Sequence, residues 1–251
     1  MIIVQISDTH IQSAAPAAAA RLDDLVRTVQ SINALPVKPD IVLHTGDVAH
    51  DATTADYAAA RSVLSGLAAP LYATIGNRDR RDTFFTAFAG DGYLRAEFGF
   101  AQYAFDAGPL RLVAVDTQDD ASALGGFCSA RADDLRGLLA AGNGRPTLVF
   151  AHHPPVTLPE MKEPSLQYRD HGAAGMLVDC LAEARGVIGV VTGHVHRARA
   201  VQLGGVTLTT VPSIAADLSR EKNGEQYVRR PIYQLHRVDG SRLASESILV
   251  S

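Results

Sequence analysis

The first half of the chain alternates between short unbroken apolar runs and longer stretches with helical spacing. "MIIVQIS" at 1–7, "DIVLHTG" at 40–46 and "PLYATIG" at 70–76 are apolar for most of their length. Such runs predict strands buried on both faces. Between the first two, "ARLDDLVRTVQSIN" puts Leu22, Leu25, Val26, Val29 and Ile32 on one helical face. "TTADYAAARSVLSGL" predicts a second helix with Thr53 or Thr54 as its cap, and "DTFFTAFA" a short third. Strand and helix in alternation imply a parallel sheet with crossover helices.

The pattern then changes. "AQYAFDAGPLRLVAVDT" reads as a hairpin turning at "DAGP". "SARADDLRGLLAAG" predicts a helix ending at Gly142, "PTLVFAHH" a strand, "AAGMLVDCLAEA" a helix and "GVIGVVTGH" a strand. Only strands are expected beyond 198, as hairpins turning at Gly204-Gly205 and Asp239-Gly240. The fold class is α/β: two mixed sheets packed together, with helices outside. Nothing resembles a linker, so residues 1–251 read as one domain.

Composition narrows the function. A net charge of -4 gives no basic footprint for a nucleic-acid polymer. No apolar run approaches the ~18 residues of a membrane helix, and the N-terminus has no basic region of a signal peptide. Cys128 and Cys180 form no C-x-x-C pair and read as core filler in a reduced, cytoplasmic protein.

Five apolar runs end in polar clusters: Asp8-Thr9-His10, Gly46-Asp47, Gly76-Asn77-Arg78-Asp79, His152-His153-Pro154 and Gly193-His194-Val195-His196. Ligands of open α/β sheets gather at the carboxyl ends of strands, so the clusters can converge. Their residue types suit two metal ions. Asp8 and His10, two apart on a strand end, can face one way, and His194 and His196 repeat that spacing. Asp47 can bridge two cations, Asn77 offers a carbonyl oxygen and His152 an imidazole nitrogen. Two divalent cations against two carboxylates and one hydroxide leave a net positive site, which draws a phosphate ester. A structural metal site is closed. His44, His171 and His236 read as core or surface residues. His50 near Asp47 and His153 beside His152 are candidates to face substrate.

The series D-x-H, GD, GN-x-D, H-H-P-P and G-H-x-H, from Asp8 to His196, resembles the calcineurin-like metallophosphoesterase superfamily. "ISDTH", "AHHPP", "VPSI" and "PIYQLH" resemble most its bacterial class III cyclic nucleotide phosphodiesterases and glycerophosphodiesterases. The resemblance implies a four-layer α/β/β/α sandwich. It implies one divalent transition metal held by Asp8, His10, Asp47 and His196, and a second by Asp47, Asn77, His152 and His194. Fe, Mn, Zn and Co all occur in the family, and mixed oxygen and nitrogen donors do not choose among them. The implied reaction is in-line attack of a bridging hydroxide on phosphorus, with Asn77 stabilising charge.

Arg78 stands where most relatives have His. An Arg can hold phosphate oxygens but cannot protonate a leaving group. Asp79, which would orient that His, is expected to pair with the guanidinium. "GNRD" resembles the UDP-diacylglucosamine pyrophosphate hydrolases, whereas "HHPP" and "VPSI" argue against that branch. The expected substrate is a small phosphodiester. A phosphomonoester, nucleotide or UDP-sugar pyrophosphate is the alternative on the same metals. A non-catalytic scaffold would have lost ligands, and every position is filled. Specificity is expected in loops 117–128, 156–172 and 213–230. Oligomeric state is open, a homo-oligomer included.

Overall fold

The computed structural model describes residues 1–14, 16–158 and 167–251. The first apolar runs become β1 (Ile2–Ile6), β2 (Ile41–His44) and β3 (Leu71–Ala73). They pair in parallel, Ile3 beside Ile41 and Val42 beside Leu71. Helices α1 (Ala18–Asn33) and α2 (Thr54–Leu64) connect them, and α3 (Arg81–Phe88) follows. Thr53, not Thr54, caps α2. Its hydroxyl accepts from the Asp56 N–H while the Asp56 carboxylate accepts from the Thr53 N–H, a capping box.

The second half builds β4 (Tyr103–Ala107), β5 (Leu110–Val115), α4 (Ser129–Ala140), β6 (Thr147–Ala151), α5 (His171–Glu183) and β7 (Val187–Thr192). Two expected hairpins follow as β8 (Arg199–Leu203) with β9 (Val206–Thr210), and β12 (Ile232–Asp239) with β13 (Arg242–Leu249). Between them lies an unexpected one, β10 (Lys222–Asn223) with β11 (Gln226–Tyr227). Two residues per strand carry no readable period. α5 starts two residues earlier than its apolar spacing suggests, because Asp170 caps it by accepting from the Ala173 N–H.

The two large sheets run β13-β12-β1-β2-β3 and β4-β5-β6-β7-β9-β8, both mixed as expected. Three apolar clusters show the layering. Val4, Ile6 and Val42 pack under α1 and α2 with Leu25, Ile32 and Tyr57. Val113, Val115 and Val149 pack under α4 and α5 with Leu135 and Leu177. The alternate residues Ile3, Leu43, Leu112, Ala114, Leu148 and Phe150 form the cluster between the sheets. Period-two alternation thus sends each strand's side chains to two different cores, giving four layers, α/β/β/α.

Candidate metal centre

Each predicted polar cluster lies just beyond its strand, not on it. β1 stops at Ile6, β2 at His44 and β7 at Thr192. Strand period therefore does not bring Asp8 and His10 to one side, nor His194 and His196, contrary to expectation. Left-handed backbone turns these side chains inward: φ is 55° at Asp8, 45° at His10, 55° at Asp47, 68° at His194 and 56° at His196. Non-glycine residues in this region cost about 1–3 kcal/mol each and cluster at functional sites. Two ladder bonds extend the β1–β2 pairing through the turns, Asp8 N–H to Gly46 O and His10 N–H to Asp47 O, both 3.0 Å. Glycine is required where these loops touch. A Cβ on Gly76 would collide with the Asp47 nitrogen and carboxylate, and one on Gly193 with Ser7 Oγ and Asp8.

All the predicted ligands come together. Nε2 of His196 is 3.1 Å from Asp8 Oδ1 and 3.4 Å from Nε2 of His10. Asp47 Oδ2 stands between two groups, 3.5 Å from His10 Nε2 and 3.6 Å from His152 Nε2. Asn77 Oδ1 is 3.0 Å from both His152 Nε2 and His194 Nδ1. Atoms of Asp8, His10 and His196, and of Asp8, Asp47 and His152, lie within 4.8 Å of one another and could hold a cation.

Outer partners fix the imidazoles. His152 Nδ1–H donates to Thr45 O at 2.8 Å and His196 Nδ1–H to Leu218 O at 2.9 Å. The lone pair of each Nε2 is left facing the cluster. His152 Nε2 then meets another acceptor, Asn77 Oδ1, with no proton of its own to share. Acceptors facing one another across 3.0 Å fit a cation between them. The carboxylates agree. Burial and the charge of Asp8 push Asp47 up to about 8, so the metal-free pair resists double ionisation. Burial also acts to raise Asp8, but the imidazoles led by His196 outweigh it and hold Asp8 far below its ordinary value. Burial keeps His194 at about 3, hence neutral and able to ligate. Of the four candidate imidazole ligands only His196 is raised, because Asp8 overcomes the effect of burial.

A cavity of about 750 Å³ opens beside Asn77, bordered by His50, Arg78, Arg80, Gln118 and Ala123. Arg78 is exposed there, and its backbone N–H donates to Asp47 Oδ1 at 2.7 Å. Its guanidinium has no ion pair among the described residues. The expected pairing with Asp79 does not occur. The Asp79 carboxylate is buried and accepts from the N–H groups of Gly76, Val48 and Ala49 and from the Tyr57 hydroxyl. Those four donors saturate it, so Asp79 ties the Asp47 and Asn77 loops together and does not orient residue 78.

His153 is also corrected. It is fully buried, its Nδ1 is 2.8 Å from Thr117 Oγ1, and its Nε2 faces Ala123 O at 3.3 Å. Neither nitrogen remains for a substrate. His50 does border the cavity, and its Nδ1 is 3.2 Å from His10 Nδ1. His44 and His236 are satisfied core residues. Cys180 is buried, whereas Cys128 is half-exposed at the N-terminus of α4 and fills no core. Gln118 escaped the sequence reading. Its amide donates to the carbonyls of Gly76 and Asp79, bracing the Asn77 turn from the loop after β5. No motif marks such a residue. Of the loops expected to set specificity, 118–123 lines the cavity, Leu218 supports His196, and 159–166 lies outside the described residues.

Two mixed sheets between helices, with Asp, Asn and His donors gathered at strand ends, are the build of a metal-dependent phosphoester hydrolase. The chain belongs to the calcineurin-like phosphoesterase family, whose profile matches residues 1–198. It is 29% identical over 243 residues to a probable glycerophosphodiester phosphodiesterase of Arcobacter nitrofigilis, covering 94% of this chain and 88% of that one. It is 28% identical over 216 residues to a 3',5'-cyclic adenosine monophosphate phosphodiesterase of Pseudomonas aeruginosa, covering 85% and 76%. A dimetal phosphatase from Danio rerio shares the fold, with a TM-score of 0.71 at 14% identity over 100% of this chain and 99% of that one.

Proposed function

We propose that this chain is a dinuclear metal-dependent phosphodiesterase acting on small phosphodiesters, of cyclic nucleotide or glycerophosphodiester type. One observation carries the reading: Asp8, His10, Asp47, Asn77, His152, His194 and His196 converge with acceptor atoms facing acceptor atoms. Asp8, His10, Asp47 and His196 would hold one ion, and Asp47, Asn77, His152 and His194 the other, with Asp47 Oδ2 between the groups. Fe, Mn, Zn and Co all suit these donors. Bound there, two divalent ions supply Lewis acidity and an activated water.

The chain's own residues do the rest. Arg78, exposed at the cavity, is placed to hold phosphoryl oxygens in its fork. Asn77 adds an amide beside them. Asp79, Gln118 and Thr45 keep the loops from relaxing when charge develops.

Arg78, without an ion pair among the described residues, also favours a second reading, a phosphomonoesterase or a nucleotide or UDP-sugar pyrophosphatase with a more anionic substrate. The substrate is in either case a small phosphate ester, not a nucleic-acid polymer, given the net charge of -4. We place the protein in the cytoplasm, where its two free thiols would persist. Among the described residues no helix is long and apolar enough to cross a membrane.

Hydrolysis with added Mn²⁺ decides between the readings, using cyclic nucleotides, glycerophosphodiesters, nucleotide monoesters and a UDP-sugar. Diester cleavage that is lost with chelator and in Asp47→Ala is expected. Cleavage of monoester or UDP-sugar alone selects the second reading. Silence on all four substrates sinks both.

A further inference from the structure

His50 lies three residues past Asp47 in the loop after β2. Its backbone N–H is held by the Ile11 carbonyl at 3.0 Å, so a bonded bridge between the two carboxylate loops carries the ring. Nδ1 of His50 is 3.2 Å from Nδ1 of His10, and the rings meet edge to face with centroids 5.3 Å apart. The other nitrogen of His10, Nε2, faces Asp47 Oδ2 and His196 Nε2.

The tautomers follow from these contacts. A cation ligand offers a lone pair, so a neutral His10 that ligates through Nε2 carries its proton on Nδ1. That Nδ1–H has His50 Nδ1 as its acceptor. A neutral His50 must then carry its proton on Nε2. No described residue accepts from Nε2 of His50, and the ring borders the cavity beside Asn77 and Arg78.

We propose that His50 is a catalytic residue with two working ends: Nδ1 accepts from His10 and orients it, and Nε2–H donates a hydrogen bond to the leaving oxygen of the phosphate ester. The proposal rests on the phosphodiesterase reading. It puts a donor at the leaving oxygen while the Arg78 fork holds the phosphoryl oxygens, and His153 is tied on both sides. A fixed donor aimed at an oxygen that gains charge is worth more in the transition state than in the ground state.

The two ends can be separated by chemistry. Asn at 50 can mimic the Nδ1 acceptor without the outer donor. Gln can mimic the outer donor without the acceptor. Ala has neither. Metal-free wild type, His50→Asn, His50→Gln and His50→Ala are titrated with Mn²⁺ in a calorimeter, after thermal melts show that all four fold alike. His50→Asn is expected to bind like wild type, and the Gln and Ala variants about 10- to 100-fold more weakly. At saturating Mn²⁺, His50→Asn is expected to lose about 10²-fold in kcat/KM on an alkyl diester. Its loss on a nitrophenyl diester, whose leaving oxygen is stable without a donor, should be far smaller. His50→Gln should show no such leaving-group bias.

Equal Mn²⁺ affinity in all four proteins overturns the link to His10. Equal losses on both diesters overturn the role at the leaving oxygen. Wild type that cleaves no diester at all refutes the phosphodiesterase reading and the leaving-oxygen role with it. The Mn²⁺ series still decides the link to His10 in that case.

Discussion

At the residue scale, Asp8, His10, Asp47, His194 and His196 reach the candidate metal centre from left-handed backbone. D-x-H and G-H-x-H are legible because Asp and His after apolar strands have few other uses. Left-handed backbone at Asp8, His10, Asp47, His194 and His196 leaves no mark, because Asp and His also occupy ordinary conformations. Only the glycines hint at it. Gly76 is the sharpest, since a Cβ there would occupy the Asp47 nitrogen and carboxylate. Gly76→Ala is therefore expected to push Asp47 aside and weaken Mn²⁺ binding at least about tenfold, as read by calorimetry. Arg78 is tested by its effect on rate. Its fork is exposed and has no ion pair among the described residues, so Arg78→Ala should melt like wild type. Its kcat/KM should fall about 10- to 100-fold on nitrophenyl and alkyl diesters alike, the worth of one charge-assisted hydrogen bond. Unchanged rates on both substrates would mean that the guanidinium does not meet the phosphate.

At the element scale, long periodic segments were readable to within three residues, because an apolar stripe three or four turns long has one packing solution. Ends depended on caps: Thr53 was among the expected caps, whereas Asp170 was overlooked beside a helix judged by its apolar residues alone. How elements are fastened together was not legible. Tyr57 sits on α2 among Phe84 and Phe88 and reads as core, yet its hydroxyl donates 2.7 Å to Asp79. Asp79 thereby joins α2 to the loops after β2 and β3. The two partners differ in consequence. Tyr57→Phe keeps the aromatic packing and leaves Asp79 three backbone donors, so a loss of about 1 kcal/mol is expected. Asp79→Ala strands the Gly76, Val48 and Ala49 N–H groups in the interior and frees both loops. We expect it to cost about 3 kcal/mol or more in urea unfolding, and to lower Mn²⁺ affinity as well. Equal destabilisation by the two variants would show that the loops are held by something other than this carboxylate.

At the scale of the whole molecule, the layered arrangement follows from apolar alternation, but the seam between the sheets is not wholly apolar. Gln5 of β1 donates to Thr45 Oγ1 and to Thr192 O, both at 3.0 Å, linking the first sheet to the second. His236 of β12 donates from Nε2 to Gln5 Oε1 at 3.1 Å, and its Nδ1 lies 2.7 Å from Ser245 Oγ. A single Gln or His inside an apolar run looks like noise in a sequence, so this seam was unreadable until the strands were placed. It has a consequence for acid stability. Burial lowers His236 from the ordinary 6.5 to about 4. Above pH 6.5 the residue is neutral in both folded and unfolded chains and costs nothing. As pH falls from 6.5 towards 4 the unfolded chain takes up a proton that the folded chain refuses, so stability drops. The full penalty, reached below pH 4, is about 3 kcal/mol. Gln at 236 can still donate to Gln5 and does not titrate. Wild type and His236→Gln should therefore draw closer in unfolding free energy by up to that amount as urea melts are moved from pH 7 to pH 4. Parallel loss in both proteins would place the acid sensitivity elsewhere, in the imidazoles of the candidate metal centre or in His44, which burial holds at about 3.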